Sequence, residues 1–277
     1  MKFGLKKLLA LGLVAVMAVG VVGCGSSKDS DEAVLDQIKE KGTVVVGTSP
    51  DYPPFEFAIS ENGKSKIVGA DIDLAQKMAD KMGVKLEIKA MDFDALIPAL
   101  QADTVDMVIT GMSPDPTREK SVDFSDIYFK GENGVLVKVG DKENIKSEDE
   151  LKKLKLGVQK GSTQETYIRD GLKKDDYKAL TAVPDLITDM KNGNIDAVVL
   201  NSKVAKINEG KYDGIKMLEG LKLTSGGDEE AMAIAVKKGN NKTFISLLND
   251  EIKELNSSGE YDKILSNAVD LVSKEEK

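Results

Sequence analysis

Residues 106–126 read DMVITGMSPDPTREKSVDFSD. The apolar run 107–110 has the length of a buried strand, and Thr110, Gly111 and Ser113 stand at its carboxyl end, where open α/β sheets bind their ligands. A proline-rich turn then delivers Arg118. Backbone amides, two hydroxyls and a guanidinium converge there. An arginine fork holds a carboxylate through two parallel charge-assisted hydrogen bonds that lysine cannot copy. The chain has only two arginines, Arg118 and Arg169, among its 39 basic residues, and Arg169 has no comparable setting.

Upstream, residues 43–47 are β-branched and strand-like, and the aromatic-proline turn Asp51, Tyr52, Pro53, Pro54, Phe55 follows. Residues 71–82 place Ile72, Ala75, Ala79 and Met82 on one helical face, with Gly83 as a stop. Residues 86–88 read as a strand, 94–102 as a helix and 107–110 as a strand, which completes a βαβαβ half. Downstream of Gly134 the pattern restarts with a strand over 135–139. Ser147 with Glu150, and Ser162 with Glu165, form capping boxes, the first opening a helix to Leu154. Residues 156–158 are a strand, Val183, Leu186, Ile187 and Met190 recur at helical spacing behind Pro184, and 197–200 close a second βαβαβ half. A strand over 231–236 and an amphipathic helix carrying Phe244, Leu248, Ile252 and Leu255 come last. The second half is therefore expected to be an inserted lobe, its crossings near residues 130–134 and 222–227, where glycines permit backbone rotation. A single continuous sheet is the alternative.

The chain has 277 residues, 41% hydrophobic and 31% charged, enough for one sizeable core or two smaller ones under a solvated surface. The amino-terminal stretch differs: Lys2, Lys6 and Lys7 precede an apolar run over residues 8–22 that ends at Gly23 and Cys24. That is a signal-peptide pattern over residues 1–23, and residues 21–24, VVGC, resemble the bacterial lipobox, in which the cysteine is acylated. Residues 24–34 then read as a lipidated flexible tether. With Cys24, the sole cysteine, acylated and histidine absent, disulfides, histidine-activated nucleophiles and ordinary zinc sites are excluded. Loss of the three leader lysines takes the net charge from −8 to about −11, which disfavours nucleic acid as a partner.

The stretches TSPDYPPFEF, VGADIDLAQKM, FDALIPAL, the 106–126 segment and GVQKGSTQE resemble, in order and spacing, the polar amino-acid family of extracytoplasmic solute-binding proteins, over about residues 42–263. The resemblance implies a two-lobed, periplasmic-binding-protein-like fold of type II, with lobe 1 over 35–131 and 224–277, lobe 2 over 132–223, and the ligand cleft between them. It implies that Arg118 clamps a ligand α-carboxylate, helped by Ser113 and by amides near Thr110 and Gly111, while Gly161, Ser162 and Thr163 open a helix of the opposite lobe whose N–H groups face the same carboxylate. Ser162 reads equally as a plain N-cap. Tyr52 and Phe93 correspond to aromatic walls around the ligand side chain, and Phe55, Phe57, Phe124, Tyr128 and Phe129 are left as packing. One departure stands out: where the family places an aspartate or glutamate for the ligand ammonium, this chain has Asn201. Either another carboxylate among Asp51, Asp228, Glu229 and Glu230 supplies that charge, or the ligand is bound weakly or lacks a free α-ammonium.

The function so implied is capture of a polar amino acid, a basic one first and glutamine or a cystine-like ligand next, by a monomeric, lipid-anchored lipoprotein serving an ABC permease and its ATPase subunits. No cofactor or metal is expected. A cyclohexadienyl-dehydratase-like enzyme on the same fold is the alternative and requires a cleft carboxyl of raised pKa. A sensory ligand-binding protein is the other, and it requires a separate partner because the chain stops at Lys277.

Overall fold

The computed structural model of the chain describes residues 33–140, 142–223, 229–239 and 241–275. The expected signal peptide, Cys24, most of the tether and of the second crossing, and Asp228 lie outside these residues.

The first half runs through α1 (Ala33–Lys41), β1 (Thr43–Thr48), a small antiparallel sheet of β2 (Asp51–Tyr52), β3 (Glu56–Glu61) and β4 (Lys64–Val68), then α2 (Ala70–Met82), β5 (Lys85–Ala90), α3 (Leu96–Gln101) and β6 (Met107–Val108). The valines of β1 favour an extended backbone, and Val44 and Val46 are fully buried. β1 pairs in parallel with β5 on one side and β6 on the other, so the strand order reverses at β1 and opens a crevice beyond its carboxyl end. The buried face of α2 is Asp71, Leu74, Ala75, Met78, Ala79 and Met82. Ile72, expected on that face, is only half-buried, because Asp71 turns inward instead, its carboxylate accepting from Gly111 N–H and Tyr128 Oη at 2.7 Å each. Gly69 makes this entry possible: its φ is 128°, and a Cβ there would lie 2.3 Å from the Phe55 carbonyl.

A 17-residue strand, β7 (Val122–Lys138), then carries the chain out of the first lobe. Its first part pairs with β12 (Glu229–Lys237), while residues 133–138 pair with β10 (Ala197–Asn201) and β11 (Ile215–Met217). The expected fresh start after Gly134 is thus a continuation of one strand. At the first crossing neither Gly131 nor Gly134 adopts a positive φ. They supply space: a Cβ on Gly131 would lie 2.7 Å from the Phe129 ring, and one on Gly134 3.2 Å from the Met217 sulfur.

Between the crossings lie α4 (Glu148–Leu151), β8 (Leu156–Gln159), α5 (Thr163–Thr166), β9 (Tyr177–Leu180), α6 (Val183–Lys191), β10, α7 (Ser202–Lys211) and β11. β8 sits between β9 and β10, parallel to both, and repeats the arrangement of the first half. α8 (Lys242–Ser258) and α9 (Glu260–Glu275) follow β12, the first burying Phe244, Leu248, Ile252 and Leu255 as its spacing requires. One core built on Leu151, Leu156, Val158 and Val199 is confined to the inserted half, another built on Leu96, Leu100 and Met112 to the flanking half, and the largest follows β7 from one to the other. The molecule is a mixed α/β, two-lobed periplasmic-binding-protein fold, and the carboxyl ends of the parallel strands of both lobes border one cleft.

Candidate functional site

In the cleft a small, nearly closed cavity of about 10 Å³ is lined by eight of the nine expected site residues: Tyr52, Phe93, Thr110, Gly111, Ser113, Arg118, Ser162 and Thr163. A wider groove lies on the far side of Asp51, against Ile59, Pro184 and Tyr212, but the buried polar groups do not converge there.

Arg118 is held by its own loop. Asp115 Oδ1 accepts from the Arg118 backbone N–H at 3.1 Å, and Asp115 Oδ2 lies 3.2 Å from Arg118 Nε. Nη1 donates to the Ser113 carbonyl at 2.6 Å, and Nη2 reaches across the cleft to the Gly161 carbonyl at 2.8 Å. Each terminal nitrogen keeps a second N–H, so the fork retains two donors. The guanidinium carbon sits 5.4 Å from the centre of the Phe93 ring, and that aromatic wall therefore also faces the arginine. Gly161, at φ 78°, permits the close approach of the lobes, because a Cβ there would be 3.2 Å from Asp94. Ser113 Oγ is buried with no hydrogen-bond partner.

Thr110 and Gly111 line the cavity, but the Thr110 hydroxyl and the Gly111 amide are held by the protein. The Thr110 hydroxyl accepts from Ser49 N–H at 2.9 Å and donates to Glu56 Oε1 at 2.8 Å, and Gly111 N–H is taken by Asp71. Glu56 and Asp71 form a buried carboxyl pair beneath this loop. Burial holds Asp71 up at about 6, and burial followed by the neighbouring Asp71 charge pushes Glu56 well above the ordinary carboxylate range. On the facing lobe the Ser162 hydroxyl caps α5 by accepting from Glu165 N–H at 3.1 Å, and Glu165 Oε2 accepts from Gly161 N–H at 2.6 Å. Ser162 is thus an N-cap whose hydroxyl keeps its own O–H donor, while the capping bond leaves the preceding first-turn amides to other partners.

Asn201 is not part of the lining. It is fully buried and caps α7, its Oδ1 accepting from Lys203 N–H at 2.8 Å and Val204 N–H at 3.3 Å, and its backbone N–H donating to Tyr52 Oη at 3.0 Å. Its Nδ2 donates to Glu230 Oε2. Glu230 does line the cavity, is 4% exposed and accepts from Gln164 Nε2 at 3.0 Å. Burial raises its carboxyl to about 7 against the opposing pull of Asn201, Gln164 and Arg118. Asp51 also borders the cavity, but it spans the cleft to accept from Val183 N–H at 2.8 Å and Gln159 Nε2 at 3.1 Å. Glu56, Gln159 and Gln164 escaped the sequence reading. The available signal was a polar residue interrupting an apolar or capping motif, as in PFEF, LGVQ and STQE.

A family model for bacterial extracellular solute-binding proteins, family 3, matches residues 44–269. The chain belongs to that family. It is 35% identical over 266 residues to the arginine-binding extracellular protein ArtP of Bacillus subtilis strain 168, covering 94% of this chain and 96% of that one. A crystal structure of the Streptococcus pneumoniae amino acid ABC transporter substrate-binding protein AbpA bound to L-arginine superposes with a TM-score of 0.80 at 35% identity, covering 86% of this chain and 98% of that one. An ancestral amino acid-binding protein described as a precursor of cyclohexadienyl dehydratase superposes with a TM-score of 0.75 at 32% identity, covering 85% and 99%. As a family 3 solute-binding protein the chain is extracytoplasmic, and no helix among the described residues is long and apolar enough to cross a membrane.

Proposed function

We propose that this solute-binding protein captures a polar amino acid between its lobes and delivers it to an ABC permease with its ATPase subunits. The observation that carries the reading is the pairing of charges in one enclosure: Arg118, with two N–H groups to spare beside the unpartnered Ser113 hydroxyl, and the buried carboxylate of Glu230. A zwitterion complements both. Arg118 and Ser113 receive the α-carboxylate, together with first-turn amides at Thr163, and Tyr52 and Phe93 flank the side chain. Basic amino acids come first, supported by the arginine-binding relatives, with glutamine and cystine-like ligands next. The lobes are residues 35–131 with 224–277, and 132–223, closing as rigid bodies. In the cell the mature monomer carries acyl chains on Cys24 after removal of residues 1–23, which hold it at the outer face of the membrane.

In a thermal-shift screen, L-arginine is expected to raise the melting temperature most, because a ligand that binds only the folded state stabilises it by mass action. Arg118→Lys is expected to weaken that ligand at least about tenfold by calorimetry, since the bidentate fork is lost. Stabilisation by no amino acid would overturn the reading.

One observation favours a second reading. A dehydratase-like enzyme requires a cleft carboxyl with a raised pKa, and Glu230 meets that requirement. Transport is preferred because Glu230 is already bound by two amides, and turnover of a cyclohexadienyl acid by the purified protein would reverse the preference.

A further inference from the structure

The cleft holds more carboxyl groups than a transport site needs, and their partners sort them. Asp51 is spent on a backbone N–H, on Gln159 and on Ser49. Glu56 lines the cavity too, with Oε1 engaged by Thr110 and Oε2 unpartnered, but burial and the neighbouring Asp71 push its carboxyl well above the ordinary range, toward the neutral form. Glu230 accepts one bond at each oxygen, and a carboxylate oxygen has room for a second. Asn201 occupies the position where a carboxylate was expected, yet it turns its Nδ2 toward Glu230 and its Oδ1 toward the first turn of α7. An aspartate at 201 would accept the same capping bonds but would set a second negative charge against Glu230.

We infer that Glu230, oriented by the Asn201 and Gln164 amides, is the carboxylate that receives the ligand α-ammonium and makes the cleft selective for amino acids over their deaminated analogues. The inference rests on the reading of the cleft as an amino-acid site. It resolves the departure at Asn201: the negative charge has moved from β10 to β12, and the residue it left became its hydrogen-bond donor. The groups facing Glu230 are Arg118 from the loop after β6, Tyr52 from β2, and the neutral amides of Gln164 and Asn201. Arg118 is the cation among them. A ligand ammonium adds a second cation at the carboxylate and draws off its proton. Affinity for an α-amino acid therefore rises as pH climbs toward and through about 7, by up to tenfold per pH unit below that value, and levels off above it. A ligand without the ammonium gains nothing from that deprotonation.

The test is calorimetry at several pH values with two pairs of probes: L-arginine against 5-guanidinopentanoate, and L-glutamine against 4-carbamoylbutanoate. Wild type is expected to prefer the amino acid of whichever pair it binds, increasingly so as pH rises from about 5.5 to about 8. Glu230→Gln is expected to lose at least about tenfold for the amino acid and less than about threefold for its analogue, with a flat pH profile. The pH profile of wild type needs no variant, so a Glu230→Gln protein that fails to fold does not shield the inference. Equal affinities within a pair, or parallel pH profiles, would overturn it while leaving the cleft as a carboxylate-binding site. Binding of neither pair nor of any other amino acid overturns the reading of the cleft itself, and this inference falls with it.

Discussion

Ser113 is the residue whose setting says most about the cleft, because its hydroxyl is buried and unpartnered in the folded protein. An orphaned polar group costs free energy that a ligand can recover. Ser113→Ala is therefore expected to leave ligand-free stability unchanged or raise it by up to about 1 kcal/mol, while weakening a carboxylate ligand by about 2- to 10-fold. Thermal melts and calorimetry on one preparation check both, and a variant that loses stability and keeps affinity would reverse the assignment. The Glu56 and Asp71 pair makes a second prediction. Both carboxyls are held above their ordinary values, so the folded protein keeps protons that the unfolded chain has released; the pair's contribution to stability is greatest at the acid end and falls as pH rises from about 4 through about 6 and beyond. In Glu56→Gln an amide stands in for the protonated acid, and the fall in melting temperature between about pH 5 and about pH 8 should become shallower. A slope as steep as wild type would count against the pair. Arg118 was legible in the sequence because an arginine is rare in this chain and follows a strand end. Glu230 was legible only as one of several candidate charges, because nothing local distinguishes it from Asp228 and Glu229 in the same acidic run.

At the scale of elements, the caps and faces came through from local chemistry. Ser147 and Ser162 cap their helices as the spacing of Glu150 and Glu165 required, and Val183, Leu186, Ile187 and Met190 are all buried. The long strand β7 did not come through, since its first part carries too regular a mixture of charged and apolar residues to separate strand from loop, and Gly131 and Gly134 read locally as breaks. Their role is steric. Gly131→Ala would press a methyl group against Phe129 and the Asn201 amide where the lobes meet, and is expected to weaken ligand binding by about tenfold. Gly210→Ala is the control: a Cβ there meets nothing within 4 Å, so affinity should stay unchanged and α7 should gain up to about 1 kcal/mol. Equal effects of the two substitutions in calorimetry would contradict the steric account.

For the whole molecule, the lobes are tied across the cleft by direct bonds: Arg118 to Gly161, Asp51 to Val183, Tyr52 to Asn201, and the rim pair Lys160 and Asp94 at 2.7 Å. Most of these groups can be met by water once the lobes part, so closure gains little until a ligand fills the cavity and engages Arg118 and Ser113. Small-angle scattering is expected to show compaction when L-arginine is added, and an unchanged profile would argue against closure by rotation of the lobes. The amino-acid sequence by itself determined the alternation of strands and helices, the helix caps, the strand end that carries Arg118 and the family to which the chain belongs, because each is written in residue spacing over a few turns or strands. Only the tertiary structure decided that Asn201 lies behind the cavity lining, that the Thr110 hydroxyl and the Gly111 amide are held by the protein, and that Glu230 borders the cavity. Hydrogen bonds between residues far apart in the chain are chosen by which groups folding buries together, and local spacing does not encode that choice.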